Sequence, residues 1–178
     1  MKIGIISDSH DHIKNLAKAI QYLNSQSVEL IYHCGDWISP STIRFLFLEC
    51  KPKAQVKGVL GNNHGDILRT LKRIQENNIL VTLEQNFLQD KVDGKNIAVY
   101  HGQDKGITQA LIRSSLYHVV FTGHTHKAVN QIVNKTLHLN PGGISDDQDS
   151  KISDNQSLAI YDTKSNKARI IKFLKEKV

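Results

Sequence analysis

The sequence has little cysteine and no long apolar run. Its 178 residues include two cysteines, Cys34 and Cys50. Without a metal-type spacing, two cysteines exclude a disulfide framework, and we predict that both are reduced, small buried residues. No apolar run approaches the ~18 residues of a membrane-spanning helix, and residues 3–6 are too short for a signal peptide. The sequence therefore predicts no membrane partner and a cytoplasmic location.

Acidic residues are fewer than basic ones, 17 against 23, which gives a formal charge of +6. This excess favours a small phosphorylated substrate. There is no block of basic residues and no row of aromatic ones, so nucleic acid is not expected as a partner, although a nuclease stays an alternative. At strand spacing the C-terminal basic residues would line a solvated face, with Ile171 and Phe173 facing inward. These residues are Lys164, Lys167, Arg169, Lys172, Lys175 and Lys177.

The first 78 residues alternate between strand and helix patterns. Such alternation indicates a parallel sheet covered by helices. The length fits one domain over residues 1–178. The predicted strands are 2–7, 28–33 and 55–60, and each is followed by a helix.

The three helices each carry apolar residues at helical spacing. We predict that Asp11 caps the first helix and that Pro40 opens the second. The predicted inward faces are Ile13, Leu16, Ala17, Ile20 and Leu23, then Ile43, Leu46 and Phe47, then Ile67, Leu68, Leu71 and Ile74.

The second half is richer in strands. One more helix is predicted with Ile107, Leu111, Ile112 and Leu116 on one face. Residues 145–155 predict a mobile polar loop. The later strands are predicted to form a second sheet, and the overall class is α/β. The predicted strands are 79–83, 87–92, 96–100, 118–121, 128–133, 136–139, 158–162 and 168–174.

Carboxylate, amide and imidazole side chains follow five of the predicted strands. In an open α/β sheet, ligands bind at this carboxyl edge. Seven donors, one of them a shared carboxylate, suit two metal ions with a bridging water, which clamp the oxygens of a displacement at phosphorus and provide hydroxide near neutral pH. The residues are Asp8, His10, Asp36, Asn62, His101, His124 and His126.

The ordered motifs Asp-x-His, Gly-Asp, Gly-Asn, His-Gly and Gly-His-x-His resemble the calcineurin-like metallophosphoesterase superfamily over residues 3–162. The Gly123–His126 and Asn140–Gly142 segments look most like its small prokaryotic YfcE-type phosphodiesterase branch. The resemblance implies a four-layer α-β-β-α sandwich of two mixed sheets. It implies a homo-oligomer, a phosphodiester substrate and hydrolysis by a metal-bridging hydroxide. It assigns metal one to Asp8, His10, Asp36 and His126, and metal two to Asp36, Asn62, His101 and His124.

One position departs from the family pattern. A His that acts on the leaving group directly follows the motif Asn in the catalytic phosphatases, whereas Asn63 stands there in this chain. His64 comes one residue later and is a candidate acid or a solvated loop residue. The predicted catalytic residues are Asp36, Asn62 and His64.

Several alternatives stay open. A retromer subunit shares this fold and is a protein-interaction scaffold, but a scaffold need not keep all seven ligands. A phosphomonoesterase is a further alternative. Imidazole and carboxylate ligands fit Mn, Ni, Fe, Zn or Co, of which we favour Mn.

Histidines outside the motifs are predicted to be structural. His12 is assigned to a helix end and His33 to the core, while His118 and His138 have no motif context. Trp37 follows Asp36 and either walls the pocket or packs in the core. Asn140 is expected to support the backbone near the site.

Overall fold

The computed structural model describes residues 1–145 and 156–172. These residues contain eleven strands and four α-helices. The strands are β1 (Lys2–Ile6), β2 (Leu30–His33), β3 (Gln55–Val59), β4 (Val81–Glu84), β5 (Phe87–Val92), β6 (Lys95–Tyr100), β7 (Val119–Phe121), β8 (Val129–Val133), β9 (Thr136–Asn140), β10 (Ser157–Asp162) and β11 (Lys167–Lys172). The helices are α1 (Ile13–Ser25), α2 (Pro40–Phe45), which continues as a π-helical segment (Leu46–Cys50), α3 (Ile67–Glu76) and α4 (Lys105–Arg113).

The strands form two mixed sheets. The first has six strands in the order β11-β10-β1-β2-β3-β4, and the second has five in the order β5-β6-β7-β9-β8. Strands β1 to β3 are parallel, as the alternating pattern predicts. Three of the later strands, predicted in the second sheet, join the first one instead: β4 runs parallel to β3, β10 antiparallel to β1, and β11 pairs with β10. In the second sheet β6, β7 and β9 are parallel, flanked by antiparallel partners.

Alternate residues of each strand enter different apolar clusters, because side chains point to opposite faces of a sheet. Ile3 and Ile5 of β1 pack between the sheets, whereas Ile6 packs under α1. Ile112 of α4 packs on the outer face of the second sheet. The result is the four-layer α-β-β-α sandwich that the resemblance implies. Within the described residues, no helix is long and apolar enough to cross a membrane.

The predicted inward face of α3 is wrong. Leu68 and Leu71 are 81% and 52% exposed, and Ile67 is 38% exposed. Thr70 is fully buried instead, and Ile74 packs partly against the core. The apolar residues of α3 do share one side of the helix, but α3 packs beside α2, so most of that side stays in solvent.

Two helix ends also differ from the prediction. Helix α4 ends at Arg113, so Leu116 lies beyond it and is 66% exposed. His12, rather than Asp11, caps α1 by accepting a hydrogen bond from the Asn15 backbone N–H. Asp11 instead accepts hydrogen bonds from Ser39, ahead of α2.

The predictions for Phe173 and for the polar loop after Ser145 lie outside the described residues. Ile171 packs partly against the core, as predicted.

Candidate metal centre

The candidate site lies where strands of both sheets end. Asp8 comes two residues after β1, and Asp36 comes three residues after β2. His101 directly follows β6 in the second sheet. His124 and His126 lie in the loop after β7. The two carboxyl edges meet, since the His124 backbone N–H donates to both Asp8 oxygens at 3.2 and 3.0 Å.

One group, here called the Asp8 cluster, consists of Asp8, His10 and His126. Their potential ligand atoms all lie within 4.8 Å of one another. The His126 Nε2 is 3.3 Å from Asp8 Oδ1, and the His10 Nε2 is 3.7 Å from the same oxygen. Asp8 is buried and the two histidines are partly exposed, so these groups could hold a metal ion from one side.

A second group, the Asp36 cluster, consists of Asp36, His101 and His124, and it satisfies the same distance limit. The His101 Nε2 is 3.2 Å from Asp36 Oδ1. Both of these residues are buried, while His124 is exposed. The exposed histidine leaves this cluster open to solvent and therefore to a substrate.

The two clusters adjoin through their carboxylates. The His10 Nε2 lies 3.6 Å from Asp36 Oδ2, and the His101 Nε2 lies 3.9 Å from Asp8 Oδ1. Each Asp36 oxygen therefore faces a histidine of a different cluster. This is the arrangement of a carboxylate that could be shared between two cations.

The histidine nitrogens fit a metal site. The Nε2 atoms of His10 and His101 are buried and make no well-aligned hydrogen bond within the part of the chain that the structure describes. Unpaired buried polar atoms are costly, and a bound cation would satisfy both of them. The Nδ1 of His101 lies 2.8 Å from the Cys34 carbonyl oxygen. Since only a protonated Nδ1 can donate to that carbonyl, Nε2 is left free to ligate.

Electrostatics keeps the two carboxylates in their metal-binding form. Burial alone raises the pKa of Asp8, but the neighbouring imidazoles of His10, His126 and His101 hold it well below the usual range. The pKa of Asp36 is lowered despite burial, by His101 and Asn63. These carboxylates are thus ionised at neutral pH, as metal ligation requires.

The pKa values of the two histidines in the Asp36 cluster are shifted in opposite directions. Burial opposes a charge on His101, yet Asp36 and Asp8 raise its pKa above the usual value. For His124, burial and the neighbouring His101 lower the pKa. His124 is therefore neutral at pH 7 and ready to bind a metal.

The backbone of the site occupies the left-handed region at five of these positions. Asp8, His10 and Asp36 have φ values of 53°, 41° and 60°, and His124 and His126 have 65° and 54°. Non-glycine residues rarely adopt positive φ, although Asn, Asp and His do so more often than others. Such strain clusters at functional sites.

The loop after β3 is built against Asp36. At Gly61, with φ of 86°, an added Cβ would lie 2.4 Å from the Asp36 backbone N and Oδ1, so only glycine fits. Asn63 donates through its backbone N–H to Asp36 Oδ1 at 2.8 Å and through its side chain to Oδ2 at 3.0 Å. Asn62, between them, is exposed. No pattern in the sequence predicts the contact made by Asn63.

His64 lies beside this loop rather than in either cluster. Its Nε2 is 2.8 Å from the Thr70 hydroxyl of α3, and its Nδ1 is buried without a hydrogen bond among the described residues. Burial lowers its pKa. A role in proton transfer stays a prediction.

His33 and Trp37 form a buried support below the site. Their rings stack with centroids 3.6 Å apart, and both residues are fully buried. Burial lowers the pKa of His33 to about 3. His33 is thus the predicted core residue, and Trp37 belongs to the core rather than to a pocket wall.

The remaining structural predictions concern single contacts. Asn140 donates to the Gly123 carbonyl at 2.7 Å and so holds the histidine loop, as expected. His118 accepts a hydrogen bond from the Asn96 backbone N–H, a structural role. His138 contacts Thr122, also a structural role. Cys34 is a buried free thiol, whereas Cys50 is partly exposed.

Two packed sheets with carboxylates and imidazoles at their joined edges form a candidate centre of the kind that metal-dependent hydrolases use. The calcineurin-like phosphoesterase superfamily domain matches residues 1–166, and the chain belongs to this family. A phosphodiesterase of Methanocaldococcus jannaschii is 38% identical over 146 residues, which cover 80% of this chain and 83% of that protein. The protein is accordingly a phosphoesterase-family hydrolase.

Solved structures show the same architecture. A structure described as a novel archaeal phosphodiesterase has a TM-score of 0.85 at 31% identity and covers 97% of this chain and 100% of its own. The phosphoesterase Yfce of E. coli has a TM-score of 0.66 at 17% identity, covering 92% of this chain and 89% of its own, and so shares the fold. The resemblance to the calcineurin-like superfamily is confirmed by the family match and the phosphodiesterase relative.

Proposed function

We propose that the protein is a phosphodiesterase that works with two divalent metal ions. The observation that carries this proposal is the position of Asp36, whose two oxygens face His10 and His101 at 3.6 and 3.2 Å. A shared carboxylate is what a two-metal site needs. The phosphodiesterase named among the relatives supports the substrate class.

The proposed ligands follow the two clusters and share Asp36. Asn62 joins the second set because it follows Gly61, which lies against Asp36. Asp8, His10, Asp36 and His126 hold one ion, and Asp36, Asn62, His101 and His124 hold the other.

When bound, two such ions supply an activated water and stabilise charge that develops on the phosphate. The chain fixes the ligands that hold them. Asp8 is held by the His124 backbone N–H, and Asp36 by Asn63. The Cys34 carbonyl fixes the ring of His101. Little rearrangement of these side chains is therefore required on metal binding.

The first experiment measures hydrolysis of bis(p-nitrophenyl) phosphate, a diester, and p-nitrophenyl phosphate, a monoester, with manganese and then nickel. We expect the diester to be the better substrate. Folded protein that carries metal but hydrolyses neither compound would refute the proposed activity. Hydrolysis of the monoester alone would indicate a phosphomonoesterase.

We propose that His64 acts on the leaving group, protonating it once the negative charge of a bound phosphate offsets the burial that lowers the pKa of His64. The buried Nδ1 without a hydrogen bond is the feature that favours it. His64→Ala should slow a diester with a poor alkyl leaving group more than one with p-nitrophenol, which leaves without protonation. Equal rates for the alkyl diester in parent and variant would exclude this role.

A further inference from the structure

A cleft of about 540 Å³ lies between α2 and α3, beside the metal centre. Its volume is within the ~300–1,000 Å³ of small-molecule sites. Three arginines line it, Arg44 from α2 and Arg69 and Arg73 from α3. We call it the arginine cleft.

The arginines of this cleft have no acidic partner in the described residues. The ion pair formed on α3 joins Lys72 to Glu76 instead. Asp66 also lines the cleft, but its Oδ1 accepts the backbone N–H of Arg69 as the cap of α3. Three positive charges therefore face the cleft against one carboxylate that already caps a helix.

The two arginines of α3 repel each other, although Arg73 lies in the last turn, where a positive charge favours the helix dipole. Residues four apart lie on the same face, and like charges at this spacing destabilise a helix. Arg73 is partly buried, so its charge is also partly removed from water. An anion in the cleft would compensate both effects.

The wall of the arginine cleft is continuous with the loops that hold Asp36. Ile38 lines the cleft and lies two residues after Asp36, a chain length of at most about 7 Å. Gly65, on the opposite wall, donates its backbone N–H to the Ile38 carbonyl at 2.9 Å. Asn63, two residues before Gly65, donates to Asp36. The walls of the cleft are thus formed by the same two loops that position Asp36.

We infer that the arginine cleft binds a second phosphate group of the substrate, so that the substrate is a phosphodiester carrying a further phosphate. This inference rests on the proposed function. Guanidinium groups match phosphate oxygens in paired, charge-assisted hydrogen bonds. Three of them around one cleft select a phosphate over a neutral group.

The test uses two diesters that share p-nitrophenol as leaving group, thymidine 5′-(p-nitrophenyl phosphate) and the same compound with a 3′-phosphate. The 3′-phosphate should lower KM by roughly tenfold or more, the value of one charge-assisted hydrogen bond. Arg69→Gln and Arg73→Gln should remove this difference and leave the diester without the 3′-phosphate unchanged. Lys72→Gln, on the same helix but outside the cleft, is the matched control.

Equal KM values for the two diesters in the parent protein would overturn the inference, and so would an equal loss in the Lys72→Gln control. If neither diester is hydrolysed, the proposed function fails and calorimetry tests the cleft alone. Thymidine 3′,5′-bisphosphate should then bind more tightly than thymidine 5′-phosphate in the parent but not in Arg69→Gln. Equal binding of the two nucleotides by the parent would reject the cleft as a phosphate site.

Discussion

The two ligand clusters differ in how they are held. In the Asp36 cluster, Asp36 and His101 are buried and His101 is oriented by the Cys34 carbonyl. In the Asp8 cluster only the carboxylate is buried, and both histidines are partly exposed. The Asp36 cluster is therefore the more completely preorganised, while the Asp8 cluster has more freedom to adjust.

The clusters nevertheless depend on each other. Asp8 accepts the backbone N–H of His124, and Asp36 offers its backbone carbonyl to the N–H of His10 at 3.1 Å. A residue of each cluster thus positions a residue of the other. Two sites joined in this way need not lose their ions independently.

The largest expected effect is that of Asp36→Asn. Asn tolerates the left-handed backbone at this position, so the change removes mainly the shared charge. We expect activity to fall by ~10³-fold, which corresponds to about 4 kcal/mol of charge stabilisation. Elemental analysis should show loss of both metals. Asp104→Asn, which preserves a helix cap, is the control; activity close to the parent value in Asp36→Asn would show that the clusters share no ligand.

His126→Ala and His124→Ala test whether the clusters can be separated. They are a matched pair, because both residues have positive φ. Loss of His126 should lower the metal affinity of the Asp8 site first, and loss of His124 that of the Asp36 site. Each loss should exceed the ~10–100-fold that follows when a residue that only orients a metal ligand is removed. Occupancies from anomalous scattering measure the effect. Equal loss of both ions in both variants would contradict the division, unless binding is cooperative.

Asn63→Ala tests the support of the Asp36 cluster. Its side chain donates to Asp36 Oδ2 at 3.0 Å. Losing this bond should weaken metal binding by ~10–100-fold, with the Asp36 site emptied first in a metal titration. The exposed Asn130→Ala variant is the control, and unchanged affinity in Asn63→Ala would show that the contact does not hold the carboxylate.

The smallest expected effect is on stability and concerns Asp90, a carboxylate outside the site. Asp90 pairs with Lys57 and accepts a hydrogen bond from Tyr32, and so serves as a reference without histidine neighbours. These two bonds lower the pKa of Asp90 despite some burial. Because the pKa is lower in the folded state, the stabilisation exists above the unfolded value of 3.8 and is lost as pH falls through the folded pKa. Denaturation of parent and Asp90→Asn should therefore differ at pH 7 and converge in acid, with no change in metal binding. A stability difference that persists in acid would contradict this cause.

The helices show what the sequence can predict about the fold. In α1 the residues Leu16, Ile20 and Leu23 are fully buried, as their spacing predicts. In α3 a similar spacing fails, and Leu68 and Leu71 are exposed. Periodicity identifies a helix, but the direction in which the helix docks depends on contacts distant in sequence.

The residues of the site likewise divide into those that the sequence predicts and those that it does not. The motif residues Asp8, His10, His101 and His126 are predictable because their types and their places after strands indicate metal chemistry. The support from Asn63 is not predictable, since an amide in a polar loop has no periodic or compositional signal. Such contacts appear only when the loop after β3 is seen against Asp36.

The left-handed backbone of the site has a consequence for interpreting variants. At Asp8, Asp36 and His124, an alanine removes the side-chain ligand but keeps the Cβ, whose cost at positive φ, about 1–2 kcal/mol per residue, the parent already carries. A glycine removes the same ligand without that cost. The difference between the two replacements at one position measures the conformational penalty carried by the backbone, whereas the difference between the parent and the alanine variant gives the contribution of the side chain to binding.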